Sequence, residues 1–115
     1  MMPKNDTFFD LVYQVVRLIP EGRVTSYGAI GKYLGSVKSA RMVGWALNKT
    51  HQIHPEVPAH RVVNRNGLLT GKYHFSIENP MAQRLKMEGI PIANNQVIDL
   101  DVYFWDPSIH LNLIS

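Results

Sequence analysis

The stretch Val57–Val63, VPAHRVV, has the outline of a reactive site with its reactive atom missing. Pro58 sets a turn, and His60 stands where a general base would. A histidine next to a nucleophile is the usual way to activate one. The residue beside it is Ala59, whose methyl group can neither attack nor carry a proton. Ser36, Ser39, Ser76 and several threonines exist, but none sits in a strand–turn–helix elbow that would expose a nucleophile. Glu88 is a candidate third member, orienting His60 through space. The competing reading makes His60 a buried histidine satisfied by backbone and Glu88 a solvated acid at a helix end.

Other chemistries find less support. The chain contains no cysteine, which removes disulfides, thiolate metal ligands and cysteine nucleophiles together. That composition also fits a cytoplasmic protein. His51 and His54 are separated by a short gap in a region bounded by prolines, which is not the paired-histidine helix of a zinc enzyme. No metal and no cofactor is expected. YGAIGKYLG is glycine-containing but lacks the lysine–hydroxyl pair that closes a phosphate-binding loop.

These residues need elements to hold them. Asp6 or Thr7 is a candidate cap for a helix through Phe8, Leu11, Val12, Val15, Val16 and Ile19, ended by Pro20-Glu21-Gly22. Val24-Thr25 reads as a brief extended piece. Ser26 reads as the N-cap of a short helix to Leu34, stopped at Gly35. Ser39 reads as the cap of a second helix, from about Ala40 to Asn48. Two short helices around a glycine turn outline a helix-turn-helix. The second carries small residues at Ala40, Gly44 and Ala46, with Arg41 at its start, where a DNA-reading helix makes contact. Packing of two helices through small residues would give the same pattern. Trp45, taken alone, reads as core, and Tyr27 either as core or as a hydroxyl aimed at a phosphate.

Beyond it, His51–Pro58 reads as a loop, Arg61–Val63 as a strand, Asn64–Gly67 as a turn and Leu68–Tyr73 as a returning strand. Asn79 or Ser76 would cap a helix from Pro80 to Glu88. The tail NNQVIDLDVYFWDP reads as a strand or edge segment. At 115 residues the chain suits one domain spanning 1–115, and no apolar run is long enough to cross a membrane. The first ten residues do not read as a secretory signal. Twelve basic residues against nine acidic ones give a net charge of +3. The sequence pI is about 9.3, a level associated with nucleic-acid-binding domains. Between Arg23 and Lys49 the chain carries Lys32, Lys38 and Arg41 and no acid, a stretch that attracts polyanions or simply forms a solvated basic face.

In order and spacing, IPEGRVTSYGAIGKYLG, SARMVGWALN, PAHRVVNRNGLLTG and RLKMEGI resemble the carboxy-terminal DNA-binding domain of O6-alkylguanine-DNA alkyltransferases, from about Phe8 to Pro107. The resemblance implies a mostly α domain with short strands, of winged helix-turn-helix type. In that family a cysteine between the proline and the histidine takes the alkyl group, and histidine, water and glutamate activate it. His60 and Glu88 match the activating pair, and Ala59 occupies the cysteine's place, so the resemblance implies a vestigial site and no enzyme. It resembles the alkyltransferase-like branch, whose members bind alkylated DNA without repairing it and flag it for nucleotide excision repair. That branch most often has tryptophan here, so alanine implies a roomier pocket. A cysteine-to-alanine variant of an active methyltransferase, or a helix-turn-helix transcriptional regulator, are the alternatives.

The resemblance also distributes roles. The second helix would enter the minor groove, with DNA contacts from Thr25, Ser26, Tyr27, Ala40, Arg41, Gly44, Trp45, Arg65, Asn66 and Gly67. Arg41 matches the arginine finger that fills the stack vacated by the flipped nucleotide. Tyr27 matches the tyrosine that crowds the target phosphate. The lesion pocket would comprise Tyr27, Pro58, Ala59, His60, Arg61, Lys72 and Tyr73, with Asn48 or Thr50 at the hinge position. The implied partner is double-stranded DNA containing O6-alkylguanine, with nucleotide excision repair proteins as possible further partners. The expected protein is a monomer, nucleoid-associated when bound to DNA.

Overall fold

Val12, Tyr13, Val15 and Val16 recur at helical spacing and form the buried face of α1 (Phe8–Arg17). The computed structural model describes residues 8–35 and 40–111, so the expected caps at Asp6, Thr7 and Ser39 lie outside the described residues. Turn-type hydrogen bonds carry the chain on from α1 to Ile19, which is 1% exposed. Gly22 then turns the chain with φ +84°, a backbone conformation that side chains resist.

β1 (Thr25–Ser26) pairs in parallel with β2 (Val62–Val63), Thr25 opposite Val62 and Ser26 opposite Val63. As expected, Ser26 caps α2 (Tyr27–Tyr33): its Oγ accepts from the Ala29 N–H at 3.0 Å. α3 (Ala40–Ile53) packs against α2 and α1, and the Tyr13 hydroxyl donates to the Ala46 carbonyl at 2.9 Å.

α3 runs five residues past the expected end at Asn48, through the first part of the expected loop. The reason is packing. Val43, Ala46, Leu47 and Thr50 keep one buried face going beyond the polar Asn48-Lys49, and the Thr50 hydroxyl is satisfied by the Leu47 carbonyl at 2.7 Å. A 3₁₀ turn at Ala59–Arg61 then feeds β2.

The strand expected at Leu68–Tyr73 does not form. Leu68 makes a single bridge to Gln96, and Lys72–His74 is another 3₁₀ turn. α4 (Met81–Met87) follows Pro80, which occupies the cap position; Ser76 Oγ instead accepts from the Asn79 N–H in the preceding turn. β3 (Ile92–Ala93) and β4 (Gln96–Val97) form an antiparallel hairpin, with Asn94 and Asn95 both at positive φ, a type of turn that asparagine tolerates. The rest of the tail is helical rather than extended: α5 (Leu100–Tyr103) and α6 (Pro107–His110).

Among the described residues, two buried clusters result. One joins α1, α2 and α3 to Val57, Ala59, Val62 and Trp105. The other joins Val24, Val63 and Leu69 to Met81 and Leu85 of α4, Ile90 and Val97. Val62 and Val63 lie in different clusters, as the alternating faces of a strand require. Trp105 closes the assembly, its N–H bonded to the Val24 carbonyl at 2.7 Å. Among the described residues no helix is long and apolar enough to cross a membrane.

Candidate nucleic-acid interface

The VPAHRVV segment and Glu88 meet. His60 Nε2 lies 2.7 Å from Glu88 Oε2. Arg61 reaches the same carboxylate, Nε to Oε1 at 3.0 Å and Nη2 to Oε2 at 2.9 Å. The Gly22 N–H donates to Oε1 at 3.0 Å. Burial works to raise the Glu88 pKa, but the bonds from Arg61, Gly22 and His60 outweigh it and hold it at about 2 against an ordinary 4.5. The group is therefore an ionised carboxylate, an acceptor only, and His60 Nε2 must carry the shared proton. Burial lowers the His60 pKa despite Glu88, which favours the neutral ring. In that tautomer Nδ1 is a bare acceptor, buried, with no hydrogen-bond partner among the described residues.

The sign of the acid response follows. Glu88 is depressed on folding, so its contribution is present above about pH 4.5 and is lost as pH falls towards about 2. His60, also depressed, favours the folded state above its unfolded pKa of 6.5 and loses that advantage as pH falls. Thermal melts are expected to lose midpoint progressively from near-neutral pH downward. A Tm that rises on acidification contradicts this network.

Arg61 was expected in a pocket wall, but its guanidinium turns inward. Nη1 donates to the Ile19 carbonyl at 2.9 Å while the other nitrogens hold Glu88. Arg61 thus fixes the acid that fixes the histidine. Ala59 is 8% exposed and lies in the first core cluster, against which Tyr27 packs.

A cavity of about 380 Å³ is lined by Tyr27, Ala40, Arg41, Gly44, Asn48, Thr70, Gly71 and His74; of the expected pocket residues it contains Tyr27 but not Pro58, Ala59 or His60. Four of these, Ala40, Arg41, Gly44 and Asn48, share one side of α3 by their three- and four-residue spacing. A Cβ built at Gly44 meets nothing within 4 Å, so this face is open to close approach. A Cβ at Gly71 would come within 3.1 Å of the Tyr27 hydroxyl, so glycine there lets the chain pass the phenol closely. Burial raises the Tyr27 pKa, partly countered by a hydrogen bond with Thr70. The phenol therefore stays protonated at neutral pH.

Of the two hinge candidates, Asn48 lines this cavity, whereas Thr50 is 1% exposed on the opposite face of α3. Trp45, read on its own as core, is 53% exposed beside Arg41 and Met42, because it lies one position off the buried Val43–Ala46–Leu47 face. Thr25 and Ser26, expected to touch DNA, are buried in β1, and the Ser26 hydroxyl is occupied as the α2 cap. Arg65 and Asn66 are exposed on a turn that Asn64 Oδ1 organises by accepting from the N–H groups of Asn66 and Leu68. Gly67 in the same turn is covered by Val97.

Lys72 and Tyr73 line a different, adjoining cavity with Leu68, Leu69, Thr70 and Asn95, and Tyr73 is 84% exposed. Sequence reasoning missed Thr70, Gly71 and His74, since nothing local marks them as neighbours of Tyr27. The histidines disperse: His51 stacks near His74, and His54 packs on the Tyr13 ring. Among the described residues no three histidine, aspartate or glutamate side chains form a cation-binding group.

Comparison with known proteins matches residues 7–90 to the model of the 6-O-methylguanine DNA methyltransferase DNA-binding domain. The chain is 39% identical over 109 residues to the DNA base-flipping protein of Escherichia coli, covering 91% of this chain and 79% of that protein. It is 36% identical over 110 residues to Alkyltransferase-like protein 1 of Schizosaccharomyces pombe, covering 90% and 99%. The crystal structure of S. pombe Atl1 with damaged DNA containing O6-carboxymethylguanine superposes with a TM-score of 0.73 at 35% identity, over 92% of this chain and all of that one. On its matched residues and its similarity to these relatives, the chain belongs to the family of the 6-O-methylguanine DNA methyltransferase DNA-binding domain.

Proposed function

We propose that this protein recognises O6-alkylguanine in duplex DNA without chemistry: α3 enters the minor groove, the damaged nucleotide rotates out, and the base is held in the cavity beside Tyr27. The observation that carries this reading is a whole site without a nucleophile. The Arg61–Glu88–His60 network is formed, and Tyr27, which packs against the cluster that holds Ala59, also lines the cavity with Arg41; yet Ala59 stands at the acceptor position in a chain without cysteine. The names of its relatives, a DNA base-flipping protein and an alkyltransferase-like protein, support the same reading.

Each lining residue then has work suited to its chemistry. The open face at Ala40 and Gly44 lets the helix backbone approach the floor of a narrow groove. Arg41 inserts where the base has left and offsets lost stacking. Tyr27, held by Thr70, crowds the target phosphate. The exposed Trp45, with Arg65 and Asn66, adds contacts at the edges of the footprint. Extrusion costs a few kcal/mol, least for a weakened pair such as one containing O6-alkylguanine, which supplies part of the selectivity. The protein works as a single domain over 1–115 and as a monomer, in the cytoplasm on nucleoid DNA. The bound complex marks the lesion for nucleotide excision repair proteins.

The test is binding to paired duplexes that differ only by one O6-methylguanine, at stated salt. A clear gain for the damaged duplex is expected. Equal affinity for both, with strong preference for one undamaged sequence, would instead identify a transcriptional regulator. Arg41→Ala is expected to weaken lesion binding by about 1–3 kcal/mol while leaving the melting curve in place. Unchanged affinity would remove the finger role from Arg41.

A further inference from the structure

The cavity contains one titratable imidazole that neither the network around Glu88 nor the roles above use. His74 lines it together with Tyr27 and Arg41 and is exposed. Its ring is not adrift. It stacks on His51 of α3 with centroids 6.2 Å apart and planes 15° apart. His51 in turn sits edge-on to Phe75 at 4.5 Å, and the Arg84 guanidinium of α4 lies 5.0 Å from the Phe75 centroid. A stack of rings anchored on two helices therefore presents an imidazole to the space where an extruded base would lie.

We propose that His74 is a lesion-reading residue: in its protonated form it donates a hydrogen bond to the acceptor edge that O6-alkylation creates on the flipped base. This rests on the reading that the cavity receives such a base. The chemistry is discriminating. Guanine carries a proton on N1 and offers a donor there. Alkylation at O6 removes that proton and leaves N1 an acceptor. A fixed donor meets guanine donor-to-donor and the lesion donor-to-acceptor, and a buried mismatch of that kind is penalised more than a match is rewarded.

The charged and titratable groups facing His74 are His51 and Arg41 from α3, Tyr27 from α2, Lys72 on its own turn and Arg84 from α4 beyond Phe75. Among the described residues that line the cavity there is no carboxylate to compete for a donor on His74. Burial, His74 and Arg84 lower the His51 pKa, which favours a neutral stacking partner.

The experiment measures the ratio of affinities for the O6-methylguanine duplex and its unmodified twin, at fixed salt, from about pH 8 to about pH 6, where imidazole side chains change charge. The ratio cancels phosphate contacts common to both duplexes. His74→Phe keeps a ring on His51 but has no donor. The wild-type ratio is expected to rise as pH falls. The variant ratio is expected to be flat and lower at the acid end, on the order of tenfold. A variant that matches wild type at every pH, with wild type still preferring the lesion, overturns the assignment to His74 and leaves lesion binding standing. A wild-type ratio of one at every pH overturns the lesion reading beneath it. His51→Phe supplies the control for the stack: its ratio should keep the pH dependence, and loss of that dependence would move the role to His51.

Discussion

Ala59→Cys is expected to convert the protein into a single-turnover alkyl acceptor. The activating geometry is already built. Glu88 is ionised, its bond to Nε2 fixes the His60 tautomer, and Nδ1 is left as a buried acceptor on the residue next to position 59. A thiol there would pass its proton to Nδ1, directly or through a water. The thiolate would attack the alkyl carbon, the carbon–O6 bond would break, and guanine would leave with a proton regained. The added sulfur enters a buried site, so a stability cost of about 1–3 kcal/mol is expected. Intact-protein mass after incubation with an O6-methylguanine duplex reads the outcome: wild type stays unmodified, and the variant gains one methyl group in place of its thiol proton. The double variant with His60→Phe should bind and transfer far more slowly. Transfer by the wild type would end the non-enzymatic reading outright.

Glu88→Gln should be the most damaging conservative change in the molecule. One carboxylate, with its side chain 11% exposed, satisfies the Gly22 N–H, the Arg61 guanidinium and His60. The amide is nearly isosteric but removes the charge, leaving Arg61 half-buried without its counter-ion. Breaking one partner of such a pair costs about 3–5 kcal/mol. Chemical denaturation should show that loss in the midpoint, with the slope unchanged. The same variant should also flatten the acid limb of the stability curve, because the group that titrates from 4.5 towards about 2 is gone. A loss under about 1 kcal/mol would mean that the ion pair is no better than a solvated one.

Much of this was readable along the chain. The periodic apolar residues of α1, the Ser26 cap of α2 and the small residues of α3 all signal locally, because helix propensity and capping act over three or four neighbours. The tail reads as a strand or edge segment: Gln96–Val97 does form β4, but Leu100–Tyr103 and Pro107–His110 are helical. Its short helices are too brief to show a period, and they exist because Phe104 and Trp105 dock beside Val24. The end of α3 was placed too early for a related reason: Asn48-Lys49 looks like a terminus, but the buried face continues beneath it to Thr50.

Which residues share the site was a different kind of question. Thr25 and Ser26 sit next to Tyr27 in sequence, yet a buried parallel strand withholds them from the surface. Arg61 sits next to His60 and turns the other way, towards an acid 27 residues on. His74 joins the cavity of Tyr27 only because Gly71 lets the chain pass close to the phenol.

That this chain carries alanine where its family has the acceptor cysteine, and no thiol anywhere else, is decided by its sequence alone: a thiol is a property of the covalent chain, and no folding can supply one. What surrounds the missing atom was decided by tertiary structure. The Gly22–Glu88 bond spans 66 residues and the His60–Glu88 bond 28. Contacts of that range depend on how two cores pack around a parallel strand pair, and local residue preferences do not encode them.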